Sequence, residues 1–147
     1  MFNSILVICA GNICRSPYGE FRLKALLPGK KITSAGVATK ISNLQDKPAD
    51  ILAIEVAGEF NADITEHRAK QVTQELVDEY DLILCMERNQ LEKLCELHPT
   101  ARHKSFVFGH WVGSSTIEDP YQKDVHAFRQ AFTNIDNAAE SWARKLG

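Results

Sequence analysis

The first seventeen residues combine a short apolar run, a compact loop and the start of a helical pattern. The run Ile5-Leu6-Val7-Ile8 is typical of a buried strand, and Ser16 followed by Pro17 is typical of a helix N-cap and the first helical position. The loop between them reads Cys9-Ala-Gly-Asn-Ile-Cys-Arg-Ser. Because backbone N–H groups converge where a strand turns into a helix, such a loop can hold a phosphate-sized oxyanion and stabilise a thiolate. The junction therefore predicts a cysteine nucleophile and an anion site at one place.

Three other residues of this loop agree with that prediction. Gly11 and Asn12 lie where a tight loop needs a positive φ. Arg15 carries a planar guanidinium that can bind two phosphoryl oxygens at once, which a lysine cannot do. A cation at a helix start opposes the helix dipole unless an anion lies beside it. We therefore predict that Arg15 binds the anion.

Apolar runs alternate with helical patterns along the chain. Strands separated by helices favour an α/β fold, a four-stranded parallel sheet with right-handed crossovers and helices on both faces. Ligands of such sheets bind beyond the carboxyl ends of the strands, where Cys9 emerges. No repeat or flexible linker divides residues 1–147, so a single domain is expected. The predicted strands are 4–8, 31–35, 81–86 and 105–108, the predicted helices are 17–27, 48–60, 73–80, 88–97 and 123–146, and loops are expected at 37–46 and 113–119.

Composition and charge argue against several classes of partner. The formal net charge of −2 gives no long-range attraction to nucleic acid or anionic lipid. The chain starts without a signal-peptide pattern and contains no apolar stretch near the roughly 18 residues of a membrane span, so we expect a cytoplasmic protein without membrane insertion. The four cysteines are expected as thiols, because their spacing suits no structural zinc site and the cytoplasm keeps thiols reduced. We expect no metal, no cofactor and a monomer.

The segment from Cys9 to Pro17 resembles the signature of the low-molecular-weight protein tyrosine phosphatases, and Asp119-Pro120-Tyr121 resembles that family's general-acid loop. The resemblance covers essentially the whole chain and implies the Rossmann-like phosphotyrosine phosphatase I fold. Within the family, the sequence is most similar to the bacterial branch that is linked to capsule and exopolysaccharide export. The other segments that carry the resemblance are Met1-Phe2-Asn3, Ser34-Ala35-Gly36, 67–71, 81–86 and Phe108-Gly109-His110-Trp111.

This resemblance implies catalytic roles for four residues. Cys9 would attack phosphorus and form a phosphocysteine, while Arg15 would bind the phosphoryl oxygens more firmly as the transition state spreads charge onto them. Ser16 would cap the helix and also donate to the Cys9 sulfur as the thiolate departs. Asp119 would protonate the leaving phenolate oxygen and then accept a proton from the attacking water. Asp-Pro alone indicates only a turn, and the sequence alone leaves the adjacent Glu118 as an alternative general acid. The match to the family's motif selects Asp119.

The same resemblance implies the walls and the supports of the pocket. Tyr121 would stack against the phenyl ring of the substrate. Isoleucine at position 13 favours phosphotyrosine, because the arginine-phosphatase relatives are expected to carry threonine there. The residues expected to contact substrate are Ala10, Gly11, Asn12, Ile13, Cys14 and Tyr121, and those expected to support the loop are Asn12, Ser34 and His67.

Two other functions stay open beside the phosphatase. A thiol-dependent arsenate reductase would use a similar cysteine loop and would need Cys85 or Cys95 for a disulfide relay, although both positions read as small core residues. A phosphotyrosine-binding module would bind phosphotyrosine without hydrolysing it. Such a module would have no use for the Cys9 nucleophile or the Asp119 acid. Cys14 either forms a protective disulfide with Cys9 or packs beneath the loop.

The resemblance also implies the partner. The substrate would be a phosphotyrosine protein, specifically a membrane tyrosine autokinase of polysaccharide export, and phosphate or a similar oxyanion would occupy the loop.

Overall fold

A computed structural model describes residues 2–114 and 116–147. Strands and helices alternate over most of this length, as the sequence pattern predicts. The strands are β1 (Ser4–Cys9), β2 (Lys31–Gly36), β3 (Leu82–Cys85) and β4 (Ser105–Val107), the α-helices are α1 (Arg15–Leu26), α2 (Ile51–Glu59), α3 (Gln74–Glu79), α4 (Arg88–Leu97) and α5 (Val125–Leu146), and two 3₁₀ segments are Pro99–Lys104 and His110–Val112.

The four strands form one parallel sheet in the order β2-β1-β3-β4. Cys9 is the last residue of β1 and pairs with Gly36, while Ile8 pairs with Cys85 on the other side. The cysteine therefore leaves the sheet at its carboxyl edge, beside the ends of β2 and β3. This confirms the predicted parallel fold and the predicted position of Cys9.

Side chains of β1 alternate between the two faces of the sheet. Ile5 and Val7 belong to a buried cluster with residues of α1, α2 and α5, whereas Leu6 and Ile8 belong to a cluster with residues of α3 and α4. All six β1 residues are buried. A central parallel strand needs apolar side chains on both faces, which is why this run reads as continuously apolar.

Helix α1 is fixed against α5 by one aromatic contact. The Tyr18 and Phe132 rings stack with centroids 4.1 Å apart, and the Tyr18 hydroxyl donates to Asp136 Oδ1 at 2.6 Å. Because α1 begins directly after the cysteine loop, this packing also positions that loop.

Several helix boundaries differ from the predicted ones, and capping side chains explain the differences. The side chains of Asp50, Thr73 and Asp124 each accept a backbone N–H from the first turn of α2, α3 and α5. These helices therefore begin at 51, 74 and 125 instead of 48, 73 and 123. The first helix begins at Arg15, two residues before the predicted start.

Candidate active site

The Cys9 sulfur lies inside the loop that the sequence indicated. Its side chain is buried, with the Asn12 backbone N–H donating to Sγ at 3.2 Å and the Ser16 hydroxyl 2.9 Å away. Ser16 Oγ already accepts a hydrogen bond from Asn12 Nδ2 at 2.8 Å. The Cys9 Sγ therefore accepts one backbone N–H and lies within hydrogen-bond distance of a hydroxyl that is itself held by Asn12.

This network continues away from the sulfur through Ser34. Asn12 Nδ2 also donates to Ser34 Oγ at 3.0 Å, and the Ser34 hydroxyl donates to Glu20 Oε1 at 2.6 Å. Since the carboxylate of Glu20 only accepts, the Ser34 hydroxyl donates to Glu20 and accepts from Asn12. Ser34 thus contacts the Asn12 side chain, and its role in supporting the loop stays a prediction.

Asn12 holds the loop in its unusual conformation. Its φ is 63°, as predicted, and it is completely buried. Its Oδ1 accepts the Lys70 N–H at 3.0 Å, and its carbonyl lies 2.6 Å from His67 Nε2. Burial lowers the pKa of His67, and the Asn12 carbonyl partly opposes this effect. The neutral imidazole therefore donates from Nε2 to the loop.

Two predictions about the loop backbone are wrong. Ser16 is not the N-cap of α1, because the helix begins at Arg15 and the Ser16 hydroxyl bonds to Cys9 and Asn12 instead. The N-cap is Cys14, whose side chain makes no capping hydrogen bond. Gly11 does not have a positive φ. A glycine fits there because a Cβ would lie 2.8 Å from Leu44 Cδ1.

Arg15 is buried and held by three groups from distant parts of the chain. Its Nη1 donates to Glu87 Oε2 at 2.6 Å and to the Ile117 carbonyl at 2.7 Å, while Nη2 lies 3.4 Å from Asp119 Oδ2. Burial alone would lower the pKa of Arg15, but the negative charges of Cys9, Asp119 and Glu87 hold that pKa above its ordinary value. Arg15 is thus a fixed cation beside the Cys9 sulfur.

The Arg15 Nε is different from the other two guanidinium nitrogens. It is buried and has no hydrogen-bond partner among the described residues. A buried guanidinium N–H without an acceptor is costly, so this donor is expected to meet an acceptor supplied by a ligand. An oxyanion in the loop would supply it.

Cys9, Arg15, Asp119 and Tyr121 meet at one cleft of about 160 Å³. Asp119 Oδ1 accepts the Tyr121 N–H at 3.0 Å, which fixes the carboxylate relative to the tyrosine. The Tyr121 side chain is half-exposed and lines the cleft. The complete lining is Cys9, Ala10, Gly11, Ile13, Cys14, Arg15, Ser42, Leu44, Asp119 and Tyr121.

Sequence reasoning missed three residues of this site. Ser42 and Leu44 line the cleft from the loop that joins β2 to α2, where no residue type signals such a role. Glu87 anchors Arg15, and its signal was visible: Glu87 and Gln90 form a capping box at the start of α4. The pattern indicates a helix start, but not that the carboxylate also binds an arginine.

The cysteines other than Cys9 are buried thiols. Burial raises the pKa of Cys14, Cys85 and Cys95, with the Cys9 charge adding to the shift at Cys14. Cys14 lines the cleft, whereas Cys85 is completely buried in β3 and Cys95 lies on α4. This burial supports the interpretation of Cys85 and Cys95 as core residues and argues against their use in a disulfide relay.

Neither a metal centre nor a membrane helix is found over 2–114 and 116–147. No group of three or more His, Cys, Asp or Glu side chains in these ranges is arranged to hold a metal ion. Within the same residues, no helix combines the length and apolarity needed to cross a bilayer.

Comparison with known proteins identifies the family. The family model for low molecular weight phosphotyrosine protein phosphatase matches residues 4–147. The chain is 42% identical to the probable low molecular weight protein-tyrosine-phosphatase AmsI of Erwinia amylovora over 99% of each chain. Its structure is similar to Vibrio vulnificus Wzb in complex with benzylphosphonate, with a TM-score of 0.97, 50% identity and coverage of 99% of this chain and 100% of that one. The tyrosine phosphatase Wzb of Escherichia coli K30 in complex with sulphate gives a TM-score of 0.94 at 47% identity, covering 100% of both chains.

These relatives are enzymes, and their names are those of the bacterial branch that the sequence resemblance indicated. With a match over nearly its whole length, this chain belongs to the low molecular weight protein-tyrosine-phosphatase family and is itself a phosphatase of the Wzb and AmsI type.

Proposed function

We propose that this phosphatase hydrolyses phosphotyrosine through a phosphocysteine intermediate on Cys9, with Arg15 binding the phosphoryl group and Asp119 acting as general acid and base. The observation that carries the proposal is the unpartnered Nε of Arg15, buried in the loop that surrounds the Cys9 sulfur. A thiolate and a cation with a free donor in one loop fit a phosphoryl group that is attacked where it is bound.

In the first step, the Cys9 thiolate attacks phosphorus in line with the phosphorus–oxygen bond to tyrosine. As that bond breaks, Asp119 donates its proton to the leaving oxygen, which gives free tyrosine and phosphocysteine. Arg15 Nε and the convergent loop N–H groups bind the equatorial oxygens.

In the second step, a water molecule attacks the phosphocysteine. The Asp119 carboxylate takes a proton from that water, the sulfur–phosphorus bond breaks, and inorganic phosphate leaves. Ser16 donates to the Cys9 sulfur and so stabilises the thiolate as it departs. Each turnover therefore returns Cys9 to a thiolate and Asp119 to its acid form.

The cleft suits an aryl leaving group. Tyr121, Ile13 and Leu44 supply apolar surface to the cleft, which is also lined by the loop at residues 9–16, here called the phosphate loop. Benzylphosphonate, bound by the Vibrio vulnificus relative, joins an aromatic ring to a phosphonate, and the Escherichia coli K30 relative binds sulphate, a tetrahedral oxyanion. Benzylphosphonate supports an aryl phosphate as the substrate class, and sulphate supports an oxyanion in the loop.

The physiological substrate that we propose is a membrane tyrosine autokinase of polysaccharide export, as the resemblance implies. In this proposal the enzyme is a cytoplasmic monomer that needs no metal and no cofactor and does not bind nucleic acid.

Turnover of p-nitrophenyl phosphate and of a phosphotyrosine peptide tests the mechanism. Cys9→Ser should abolish release of phosphate, and Asp119→Asn should slow it by about 100-fold or more. Glu118→Gln, which removes the neighbouring carboxylate, is the matched control and should stay near the wild-type rate. Quenching with acid during turnover should trap phosphate on Cys9, and the absence of a trapped adduct together with full activity of Cys9→Ser would refute the mechanism.

Arsenate provides the competing assay. A thiol-dependent reductase would oxidise its own thiols when arsenate is added and would require Cys85. We expect arsenate to act only as a competitive inhibitor of phosphate release, equally in wild type and Cys85→Ser.

A further inference from the structure

A second cavity, of about 310 Å³, shares no lining residue with the active-site cleft. One wall is a single face of α1, on which Pro17, Glu20, Phe21 and Lys24 recur every three or four residues. The other wall is formed by four residues of the segment 63–67, which lies between α2 and α3. Small ligands usually occupy clefts of about 300 Å³ or more, so this cavity, here called the second cavity, can hold one.

Apolar side chains cover part of both walls. Pro17 and Ile64 are buried, Phe21 is half-buried, and Phe21 packs against the core cluster that contains Ile64. Packing against the core therefore holds this part of the wall in place. Such a surface gains free energy by contact with an alkyl or aryl group.

Two carboxylates of the second cavity, Asp63 and Glu66, have no cationic partner. Asp63 Oδ1 accepts the Thr65 N–H at 2.9 Å and the Thr65 hydroxyl at 2.6 Å, and these hydrogen bonds lower the pKa of the Asp63 carboxyl. Glu66 is exposed, and neither carboxylate forms an ion pair within residues 2–114 and 116–147. By contrast, Glu20 forms an ion pair with Lys24 at 2.7 Å. The cavity therefore has two carboxylates that its one lining cation does not balance.

Two further cations lie near the segment 63–67, but both are directed to other groups. Arg68 Nη1 donates to the His67 carbonyl at 2.8 Å, and Lys70 Nζ donates to the Thr33 hydroxyl at 2.7 Å. Neither side chain lines the second cavity. The negative charge of the cavity is therefore available to a ligand.

His67 adds a hydrogen-bond acceptor to the same wall. Its Nε2 lies 2.6 Å from the Asn12 carbonyl, to which the neutral imidazole donates. In that tautomer Nδ1 carries a lone pair, and Nδ1 has no hydrogen-bond partner among the described residues. Apart from the Lys24 ammonium, the polar side-chain atoms that line the second cavity therefore accept hydrogen bonds, and a ligand has to supply the donors.

We propose that the second cavity binds a small organic ammonium ion, whose N–H groups donate to Asp63, Glu66 and His67 Nδ1 and whose alkyl or aryl body packs against Phe21 and Ile64. An ammonium ion supplies up to three donors together with the positive charge that the two carboxylates lack. A metal ion fits less well, because no three His, Cys, Asp or Glu side chains in the described part of the chain are arranged to hold one. The inference does not rest on the proposed function.

Isothermal titration calorimetry tests the second cavity, with inorganic phosphate added in excess to occupy the anion site of the cleft. The probe is phenethylamine, an aryl ammonium ion at neutral pH, and 2-phenylethanol is its uncharged match. We expect one phenethylamine to bind with a Kd of about 1 mM or below. Because 2-phenylethanol lacks the charge, it should bind at least about tenfold more weakly.

Substitutions of Glu66 should weaken the binding of phenethylamine in a graded way. Glu66→Gln should raise the Kd about fivefold or more, and Glu66→Lys should remove detectable binding, because the ammonium ion then meets a like charge. Glu55→Lys is the matched control, since Glu55 is exposed on α2 and does not line the second cavity. It should keep the wild-type Kd, which separates a local contact from the change in net charge.

The nitrogen NMR resonances of the histidines show where the probe binds. Phenethylamine should shift the Nδ1 resonance of His67, because that nitrogen gains a hydrogen bond when the second cavity is occupied. The resonances of His98 should stay unchanged, since His98 Nδ1 is bonded to Gln74 and lies outside the cavity.

Absence of binding to the phosphate-saturated protein would overturn the inference, as would equal Kd values for phenethylamine and 2-phenylethanol. Binding that is unchanged in Glu66→Lys, or that leaves the His67 resonance in place, would overturn it as well. None of these measurements depends on turnover, so a failure of the proposed function would be recorded separately, by the p-nitrophenyl phosphate assays.

Discussion

Glu87 Oε2 accepts a hydrogen bond from Arg15 Nη1 at 2.6 Å and so joins two parts of the site that are 72 residues apart in sequence. Glu87 is the N-cap of α4, and Gln90 Nε2 also donates to the same carboxylate oxygen. Glu87 further forms an antiparallel bridge with Thr116, three residues before Asp119. Glu87 therefore contacts both Arg15 and the segment that leads to Asp119, the proposed general acid.

Replacement of Glu87 by glutamine should weaken phosphate binding and turnover. Glu87→Gln keeps the size of the side chain but removes the charge that orients Arg15, and a hydrogen bond to a charged group contributes about 1.5–3 kcal/mol. We expect kcat/KM for p-nitrophenyl phosphate to fall about 10- to 100-fold and the inhibition constant of inorganic phosphate to rise. Glu92→Gln, an exposed change on the same helix, should alter neither constant. Wild-type phosphate inhibition in Glu87→Gln would contradict the role given to Glu87.

A lysine at position 15 should be a poor substitute for arginine. Arg15 uses Nη1 for Glu87 and Ile117 and keeps Nε for the ligand, and a lysine has one nitrogen for all of these acceptors. We expect Arg15→Lys to lower kcat/KM by about 100-fold or more, measured with p-nitrophenyl phosphate. Arg22→Lys, also on α1 and paired with Asp136, is the control and should retain activity. Comparable losses in both variants would mean that the effect is on folding.

Local patterns predicted the parts of the site that are local in sequence. The strand, the loop and the positive φ of Asn12 follow from residues that are neighbours in the chain. The contacts that hold Arg15 do not follow from such neighbours, because Glu87 and Ile117 are 72 and 102 residues away from it in the sequence. Asp119 was found through the family resemblance, since Asp-Pro by itself indicates only a turn.

The wrong prediction for Ser16 has a similar origin. A serine before a proline usually caps a helix through its hydroxyl. In this loop the hydroxyl instead bonds to Cys9 and Asn12, partners that the capping rule does not consider. Local rules are therefore least reliable where tertiary contacts in a buried site compete for the same side chain.

Gly36 should tolerate no side chain, because β2 passes close to the phosphate loop there. A Cβ at Gly36 would lie 2.5 Å from the Ala10 carbonyl oxygen and 3.1 Å from the Asn12 nitrogen, both backbone atoms. We expect Gly36→Ala to lower the free energy of unfolding by about 1–3 kcal/mol and to reduce activity by displacing the loop. Urea unfolding and phosphatase assays of the same preparation measure both effects.

Gly58→Ala is the matched control for that substitution. Gly58 lies in α2, and a Cβ there would meet nothing within 4 Å. Alanine should raise the free energy of unfolding by about 0.5–1 kcal/mol, because it restricts the unfolded chain and favours the helix. A destabilised Gly58→Ala together with a stable Gly36→Ala would contradict the packing described around the loop.

Protonation of His67 should destabilise the phosphate loop in mild acid. Burial lowers the pKa of His67 below its ordinary value of 6.5, so the unfolded chain binds the proton at a higher pH than the folded protein does. Between those two pKa values the unfolded state carries more protons, and the free energy of unfolding therefore decreases as pH falls below about 6.5. The stabilisation is complete above 6.5 and is lost as the pH falls through the lower, folded-state pKa.

Urea unfolding of wild type and His67→Gln between pH 5 and pH 8 measures this effect. Glutamine keeps an N–H donor for the Asn12 carbonyl but does not titrate, so the wild type should lose stability relative to the variant by at most about 1.4 kcal/mol per pH unit below 6.5. Above that pH the difference between the two proteins should be constant. A constant difference across the whole range would mean that His67 has the same pKa folded and unfolded, and that burial beside Asn12 does not hold it neutral.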